Sequence, residues 1–247
     1  MNKKIFSENC NLSSYTTIKV GGVAEYFAEP RSIAEFSYLI KWANLNKQRC
    51  QIIGAGSNLL INNIFIKGLV VCTKKLKSLE IKPYSGIVEA EAGVMLPTLS
   101  NSLAKNGLQG GEWAVGIPGT LGGAIYMNAG TGNLSLAKNL ISVKVINNKT
   151  LEKIEVEKKD IDFEYRFSSF QRNDLTIISA RLHFEPNGDL EKLIQTTKNN
   201  LKLKTETQPY HQPSFGSVFK NPENNYAAKL IDDMGLKGFK IGGAEIS

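Results

Sequence analysis

Gly54-Ala55-Gly56-Ser57-Asn58 is a glycine-rich stretch that follows a short buried strand predicted over residues 51–53. Glycines let backbone N–H groups approach phosphate oxygens because no Cβ blocks the way, and Ser57 and Asn58 add neutral donors. The stretch has no lysine, and the third glycine of a Rossmann motif would fall at Leu59, so neither a Walker loop nor a Rossmann fingerprint is indicated. Residues 54–58 are called the first glycine loop below. A phosphate cradle and a tight turn between strands both remain open for this loop.

A second glycine-rich stretch begins 62 positions later, and it is called the second glycine loop. It reads Gly116-Ile117-Pro118-Gly119-Thr120-Leu121-Gly122-Gly123-Ala124. A flat aromatic ring or a pyrophosphate can lie against such a backbone, while a packing crossover between elements is the alternative interpretation. Together the two loops suit a ligand with a central diphosphate and a planar ring.

Charge and composition narrow the class of protein. The 247 residues carry a formal charge of +7, which favours anionic partners, but the lysines form no long run. The three cysteines are odd in number and form no CxxC motif, and there are two histidines, so neither a disulfide framework nor a metal site is indicated. No apolar run reaches the roughly 18–20 residues of a membrane span. Lys3 and Lys4 precede no apolar segment, so we expect no signal peptide and a cytoplasmic location.

The periodicity of the chain predicts a mixed α+β fold. Ser32 and Glu35 form a capping-box pattern that opens an amphipathic helix, and a second helix follows over 96–103 with a stop at Gly107. Strands are predicted over 17–20, 23–28, 69–72, 87–92, 140–146 and 174–184, and the residues after the first glycine loop are predicted to continue as strand. Beyond a linker at 186–188, we predict a polar helix from Asp189 and a short helix over 226–234.

Five motifs occur in an order that resembles one family. They are Thr16-Thr17-Ile18-Lys19-Val20-Gly21-Gly22, the two glycine loops, Tyr165-Arg166-Phe167-Ser168-Ser169-Phe170 and Gly216-Ser217-Val218-Phe219-Lys220-Asn221-Pro222. Over nearly its whole length the chain looks like the UDP-N-acetylenolpyruvoylglucosamine reductases, also called UDP-N-acetylmuramate dehydrogenases (MurB), of the smaller type without an inserted loop.

The resemblance implies a fold, a cofactor and a reaction. The fold is the α+β FAD-binding fold of the PCMH or vanillyl-alcohol-oxidase-like class, with FAD-binding lobes at 1–73 and 74–185 and a substrate lobe at 186–247. FAD is bound non-covalently by the two glycine loops, and NADPH reduces it. UDP-N-acetylglucosamine enolpyruvate then takes a hydride from flavin N5 and becomes UDP-N-acetylmuramate, a peptidoglycan precursor. A monomer without nucleic-acid or membrane partners is expected.

The resemblance also assigns roles to single residues. Arg166 matches the arginine that stabilises developing charge, and its guanidinium suits a carboxylate. Ser217 matches the proton donor, which needs neighbours that ease loss of its proton. Tyr165, Lys220 and Asn221 are the expected substrate contacts. Without the motifs, each would be interpreted as an ordinary surface or turn residue.

One departure from the family pattern concerns a third catalytic group. The family has a glutamate in a segment beyond the 242–245 region, whereas this sequence ends at Ser247 and Glu245 precedes the expected position. We therefore expect a truncated form or reduced activity, with FAD binding retained. Loss of one such charge-stabilising group typically costs about a hundredfold or more in rate.

Three alternatives remain open at the level of sequence. The first is an FAD-dependent oxidase of the same fold, and the second is an inactive fragment that binds FAD. The third is a basic nucleic-acid-binding module, which predicts a colourless protein whose affinity for DNA or RNA falls steeply with salt.

Overall fold

The N-terminal elements form a mixed four-stranded sheet with one helix against it. The computed structural model describes residues 5–62 and 64–247, so Lys3, Lys4 and the signal-peptide prediction lie outside the described residues. The elements are β1 (Ser7–Asn11), β2 (Val23–Ala28), α1 (Ile33–Leu45), β3 (Cys50–Ile53) and β4 (Phe65–Cys72). The strand order is β1-β2-β4-β3, with β1 antiparallel to β2 and the other two pairs parallel. The carboxyl ends of β2, β4 and β3 therefore meet at one edge.

The helix α1 forms for the local reasons that its sequence predicts. The Ser32 hydroxyl accepts a hydrogen bond from the Glu35 N–H at 3.1 Å, and the Glu35 carboxylate accepts one from the Arg31 N–H at 2.7 Å. The first bond satisfies an N–H group that a helix start leaves unpaired, and the second binds the Glu35 side chain to the residue before the cap. The apolar face is buried against the sheet, which contributes about 1.5–3 kcal/mol for each large side chain. Its buried members are Phe36, Leu39, Ile40 and Ala43.

The middle of the chain forms a second, wholly antiparallel sheet covered by two helices. The α-helices and strands in this part of the chain are β5 (Leu79–Lys82), β6 (Ile87–Glu91), α2 (Leu96–Lys105), α3 (Leu121–Tyr126), β7 (Gly130–Thr131), β8 (Leu134–Ser135), β9 (Leu140–Asn147), β10 (Lys153–Glu157), β11 (Phe163–Glu164), β12 (Phe167–Ser168) and β13 (Leu175–His183). Five strands follow the order β10-β9-β13-β6-β5, while β7-β8 and β11-β12 are separate two-stranded pairs.

The residues of α2 that pack against the second sheet are those that its sequence periodicity predicts. Leu96, Leu99 and Leu103 of α2 are all buried, and they share one cluster with Val143 and Leu182 from the sheet. The helix ends before Gly107, whose φ of +70° is the left-handed conformation that glycine adopts without strain. The predicted second helix and its stop are confirmed.

The two sheets share a hydrophobic cluster. Ile146 of β9 and Ile178 of β13 lie in the same cluster as Phe36, Leu69 and Val71 of the first sheet and its helix. This shared cluster holds the carboxyl edge of the first sheet beside the second sheet, which is where both glycine loops lie.

The C-terminal part adds one long helix and a small exposed unit. Its elements are α4 (Leu190–Thr207), α5 (Ala227–Asp233), β14 (Lys240–Ile241) and β15 (Ala244–Glu245). The Asp189 carboxylate caps α4 by accepting from the Lys192 N–H at 3.0 Å, so the predicted start is confirmed. The helix packs against α2 and buries Leu193 and Thr197.

Two of the predicted strands are wrong. Residues 17–20 form a turn, because Lys19 has a φ of +58° and its N–H donates to the Thr16 carbonyl at 3.2 Å. A left-handed residue breaks the pleat of a strand, so β2 pairs with β1 instead. Leu59-Leu60-Ile61 is likewise irregular rather than strand.

The described residues also bear on the predictions about membrane spans, metal sites and cysteines. Within residues 5–62 and 64–247, no helix has the length and apolar character to cross a membrane. The same residues hold no cluster of three or more metal-ligating side chains. Cys10, Cys50 and Cys72 are free thiols, and burial raises the pKa of Cys50 to about 12.

Candidate active site

The two glycine loops lie against each other although 62 positions separate them in sequence. A Cβ added to Gly119 would lie 3.6 Å from the Ser57 hydroxyl, and one added to Gly54 would overlap the Thr120 hydroxyl. Glycine at position 54 is therefore required by the approach of the second loop. The Cys72 thiol at the end of β4 donates to the Gly54 carbonyl at 3.4 Å, which fixes the first loop to the sheet edge.

The first glycine loop presents unused backbone donors. Among the described residues, the backbone N–H groups of Ala55, Gly56, Ser57 and Asn58 donate no hydrogen bond to the protein. Gly56 has a φ of +66°, and a Cβ there would overlap the Tyr15 carbonyl. Successive N–H groups in such a turn form a concave anion site. The loop can therefore bind a diphosphate without any lysine.

The second glycine loop differs because most of its N–H groups are already bonded within the protein. The bonds run from Ile117 to Ala114, from Gly119 to Ile117, from Leu121 to Val94, from Gly122 to Ala92 and from Gly123 to the Thr120 hydroxyl. This hydroxyl caps α3. The second loop thus offers a flat backbone surface more than a set of free donors.

Three members of the second loop contact protein closely. A Cβ on Gly116 would overlap the stem of Lys204, and one on Gly122 would lie 2.9 Å from the Ala92 Cβ. Ala124 is buried in the core of the second sheet. Their predicted contact with a cofactor stays a prediction, as does that of Ile117, Pro118 and Gly123.

The first loop is tied directly to the segment that carries Ser217. The Asn58 side-chain amide donates to the Phe215 carbonyl at 2.8 Å and to the Ser217 carbonyl at 3.2 Å. Thr17 adds a second tie, because its carbonyl accepts from the Ser214 N–H at 3.2 Å while its own N–H donates to the Gly56 carbonyl at 3.2 Å. The Ser217 side chain is exposed beside this loop.

The Tyr165–Arg166 pair lies at the tip of the β11–β12 hairpin. The Arg166 guanidinium donates to the Gly130 carbonyl at 3.1 Å, and its central carbon lies 4.9 Å from the centre of the Tyr165 ring. The Tyr165 hydroxyl accepts from the Asn221 N–H at 3.3 Å. The structure therefore brings the hairpin tip to the segment that contains Ser217.

Asn221 and its neighbours are held by the start of α5. The Asn221 side-chain oxygen accepts from the Ala227 N–H at 3.1 Å, so this amide satisfies the helix start. Lys220 is exposed on the same segment. Glu245, which was not assigned a role from sequence, pairs with Lys240 at 3.1 Å in the β14–β15 hairpin.

Comparison with known proteins decides the family. Residues 24–150 match the FAD binding domain family, and residues 208–247 match the C-terminal domain of UDP-N-acetylenolpyruvoylglucosamine reductase. A reductase of that name from Prochlorococcus marinus subsp. pastoris is 70% identical over 98% of this chain and 82% of its own length. The chain belongs to the UDP-N-acetylenolpyruvoylglucosamine reductase family. A member from Synechococcus sp. strain RCC307 is 44% identical over 96% of this chain and 77% of its own length.

Solved structures agree with this membership. The crystal structure of UDP-N-acetylenolpyruvylglucosamine reductase (MurB) from Thermus caldophilus superposes with a TM-score of 0.82 at 30% identity, over 98% of this chain and 85% of that one. Phl p 4.0202, a glucose dehydrogenase, superposes with a TM-score of 0.55 at 11% identity, over 75% of this chain and 42% of that one. That second likeness shows the fold alone. The predicted α+β FAD-binding fold of the reductase family and its FAD cofactor are confirmed.

Sequence reasoning missed several residues of this reductase site. Thr17 links the first glycine loop to Ser214, Thr120 caps α3 against Gly54, and Tyr210 donates to the Gly116 carbonyl. Asn128 was also missed, although an asparagine just after a short helix is a known signal for a left-handed cap. Thr17 and Tyr210 carry no such local signal, because their partners are distant in sequence.

Proposed function

We propose that this chain reduces UDP-N-acetylglucosamine enolpyruvate to UDP-N-acetylmuramate with NADPH as reductant and FAD as cofactor. One observation carries the proposal: the first glycine loop, the Ser217 segment and the Tyr165–Arg166 tip are joined by direct hydrogen bonds. The 70% identity to a reductase supports the same substrate and its place in peptidoglycan precursor synthesis.

The first glycine loop is proposed to hold the FAD diphosphate. Its N–H groups at Ala55, Gly56, Ser57 and Asn58 are free of protein acceptors among the described residues, and glycine keeps side chains out of their way. The backbone of the second loop, with Gly119 beside Ser57, would lie against the flat ring. When bound, FAD supplies the hydride, which it takes from NADPH.

Arg166 is proposed to hold the substrate carboxylate. Reduction of the enolpyruvyl double bond adds a hydride to the terminal carbon and a proton to the adjacent carbon, so negative charge develops on that carbon and its carboxylate. A guanidinium is permanently charged and binds two carboxylate oxygens at once, which stabilises this charge. Arg166 is partly buried, and its guanidinium contacts the Gly130 carbonyl and the Tyr165 ring.

Ser217 is proposed to donate the proton from its Oγ. A serine hydroxyl is a weak acid, and it needs a neighbouring cation or donor to stabilise its oxygen once the proton leaves. Lys220 lies three residues further along the same exposed segment and is the candidate for this. Tyr165, Lys220 and Asn221 are proposed as substrate contacts, with Lys220 offering a positive charge to the substrate diphosphate.

The lobe boundaries are proposed at 1–73, 74–185 and 186–247. In support, the first sheet ends at Cys72, the second sheet begins at Leu79, and α4 begins at Leu190. A monomeric, cytoplasmic protein without nucleic-acid or membrane partners stays a prediction.

The two steps of the reaction can be followed separately in the absence of oxygen. NADPH should bleach the visible absorbance of the bound flavin, which we call the reduction step. The enolpyruvyl substrate should then restore that absorbance, which we call the substrate step. A flavin that is bleached by glucose or another sugar in place of NADPH, and that is not restored by the enolpyruvyl substrate, would contradict the proposal in favour of a sugar-oxidising flavoenzyme of this fold.

A further inference from the structure

Arg166 has a backbone conformation that an arginine rarely adopts. Its φ is +58°, at the two-residue turn between β11 (Phe163–Glu164) and β12 (Phe167–Ser168). Side chains with a Cβ are strained in this left-handed region, where glycine or asparagine is the usual occupant. Such strain persists only where surrounding contacts over-determine the local structure.

Those contacts come from the end of α3. The Tyr126 carbonyl accepts from the Ser168 hydroxyl and from the Gln171 side-chain amide, each at 2.8 Å. The same Gln171 amide lies 3.4 Å from the Arg166 carbonyl. The Asn128 amide donates to the Glu164 carbonyl at 2.9 Å. Both sides of the Tyr165–Arg166 turn are therefore fastened to one helix end.

Asn128 is the residue among these whose burial and conformation are the most unusual for its type. It is 9% exposed, its φ is +43°, and its side-chain oxygen is buried with no hydrogen-bond partner among the described residues. A buried oxygen without a hydrogen-bond partner lowers the stability of the fold, so stability alone does not explain why an asparagine occupies this position. Its side chain makes one hydrogen bond among the described residues, the donation to the carbonyl of Glu164, two residues before Arg166.

We propose that Asn128 is a positioning residue that holds the Arg166 turn in its left-handed conformation. The proposal rests on the proposed function, in which Arg166 holds the substrate carboxylate. Through the Glu164 carbonyl, Asn128 fixes the start of the turn, and Gln171 fixes its end. The guanidinium is then directed by the backbone before any substrate arrives, which lowers the cost of orienting it.

The test removes the amide without disturbing the backbone. Asn128→Gly keeps the left-handed conformation and deletes the whole side-chain amide, and Asn187→Gly is the matched control at an exposed asparagine with a φ of +61°. We expect Asn128→Gly to slow the substrate step about tenfold and to leave the reduction step within about twofold, whereas Asn187→Gly changes neither. If Asn128→Gly does not fold, Gln171→Met provides the same test at the other end of the turn.

A double-mutant cycle separates positioning from a general loss of structure. In an Arg166→Ala background, Asn128→Gly should have no further effect on the substrate step, because there is no guanidinium left to orient. Additive effects, or an unchanged substrate step in Asn128→Gly alone, would overturn the proposal. If Arg166→Ala itself leaves the substrate step unchanged, the role assigned to Arg166 under the proposed function is wrong instead.

Thermal melting gives a readout that is independent of activity. Arg166→Gly and Arg166→Ala both lose the guanidinium contacts, but only glycine relieves the strain of the turn, so Arg166→Gly should melt about 2–4 °C above Arg166→Ala. A melting temperature of Arg166→Gly at or below that of Arg166→Ala would show that position 166 is unstrained and would overturn the proposal.

Discussion

The side-chain amide of Asn58 donates to the carbonyl of Ser217 at 3.2 Å, across 159 positions of sequence. The loop with free N–H groups for a diphosphate is therefore also the loop that holds the proposed proton donor. Under the proposed function, cofactor binding and substrate chemistry meet at Asn58. The Asn58 side chain is bonded to the Ser217 segment, so only its backbone N–H is free to donate to the cofactor as predicted.

Asn58→Ala should separate these two roles. The variant loses the bonds to Phe215 and Ser217 but keeps every backbone N–H of the loop. We expect a flavin content close to that of the unmodified protein, a normal reduction step and a substrate step slowed about tenfold, measured by stopped-flow absorbance. Loss of flavin, with an unchanged substrate step in the fraction of protein that still holds flavin, would show that the amide serves the cofactor instead.

Gly56→Ala should disrupt the first glycine loop. The added Cβ would overlap the Tyr15 carbonyl at a backbone with a φ of +66°, so we expect a destabilisation of about 1–3 kcal/mol and loss of flavin. Gly132→Ala is the matched control, because its φ is +55° and a Cβ there meets nothing within 4 Å. Flavin content and thermal melting measure both effects. Equal flavin loss in the two variants would mean that strain alone is responsible.

Ser217→Ala and Arg166→Lys should both act on the substrate step. Alanine removes the proposed proton, and lysine keeps a charge but loses the two-pronged contact to a carboxylate. We expect the substrate step to fall about a hundredfold or more in each, with the reduction step changed little. A comparable loss of both steps in Ser217→Ala would remove this residue from the role of proton donor.

Cys50 should make the protein sensitive to alkali. Burial raises the pKa of this thiol from 9.0 to about 12, so the folded state favours the protonated thiol. The resulting stability is fully present below about pH 9 and is lost as the pH rises toward 12. Urea unfolding at pH 8 and pH 11 should show a smaller loss of stability in Cys50→Val than in the unmodified protein. An identical loss in both would mean that another group is responsible.

Local features of the fold are predictable from sequence, and contacts between distant segments are not. The caps at Ser32 and Asp189 and the buried leucines of α2 follow from rules that act over a few residues, and all are found. The strand expected over 17–20 fails because its apolar pattern gives no sign that Lys19 turns left-handed.

In the candidate site too, local motifs are predictable from sequence, whereas contacts between distant segments are not. Periodicity and spacing identify both glycine loops, but they do not show that Gly119 lies beside Ser57 or that the first loop keeps its N–H groups free. Motif order carried the assignment of Arg166 and Ser217. The contribution of Asn128 depends on a hydrogen bond between segments 36 positions apart, so the sequence did not reveal it.

The most direct measurement follows backbone amides while FAD is titrated into the ¹⁵N-labelled apoprotein. The free N–H groups of Ala55, Gly56 and Ser57 should gain hydrogen bonds to the diphosphate, and their amide resonances should shift downfield. The N–H groups of Gly122 and Gly123 already have protein acceptors, at Ala92 and Thr120, and should shift less. Unmoved resonances at 55–57 with large downfield shifts at 122–123 would contradict the account.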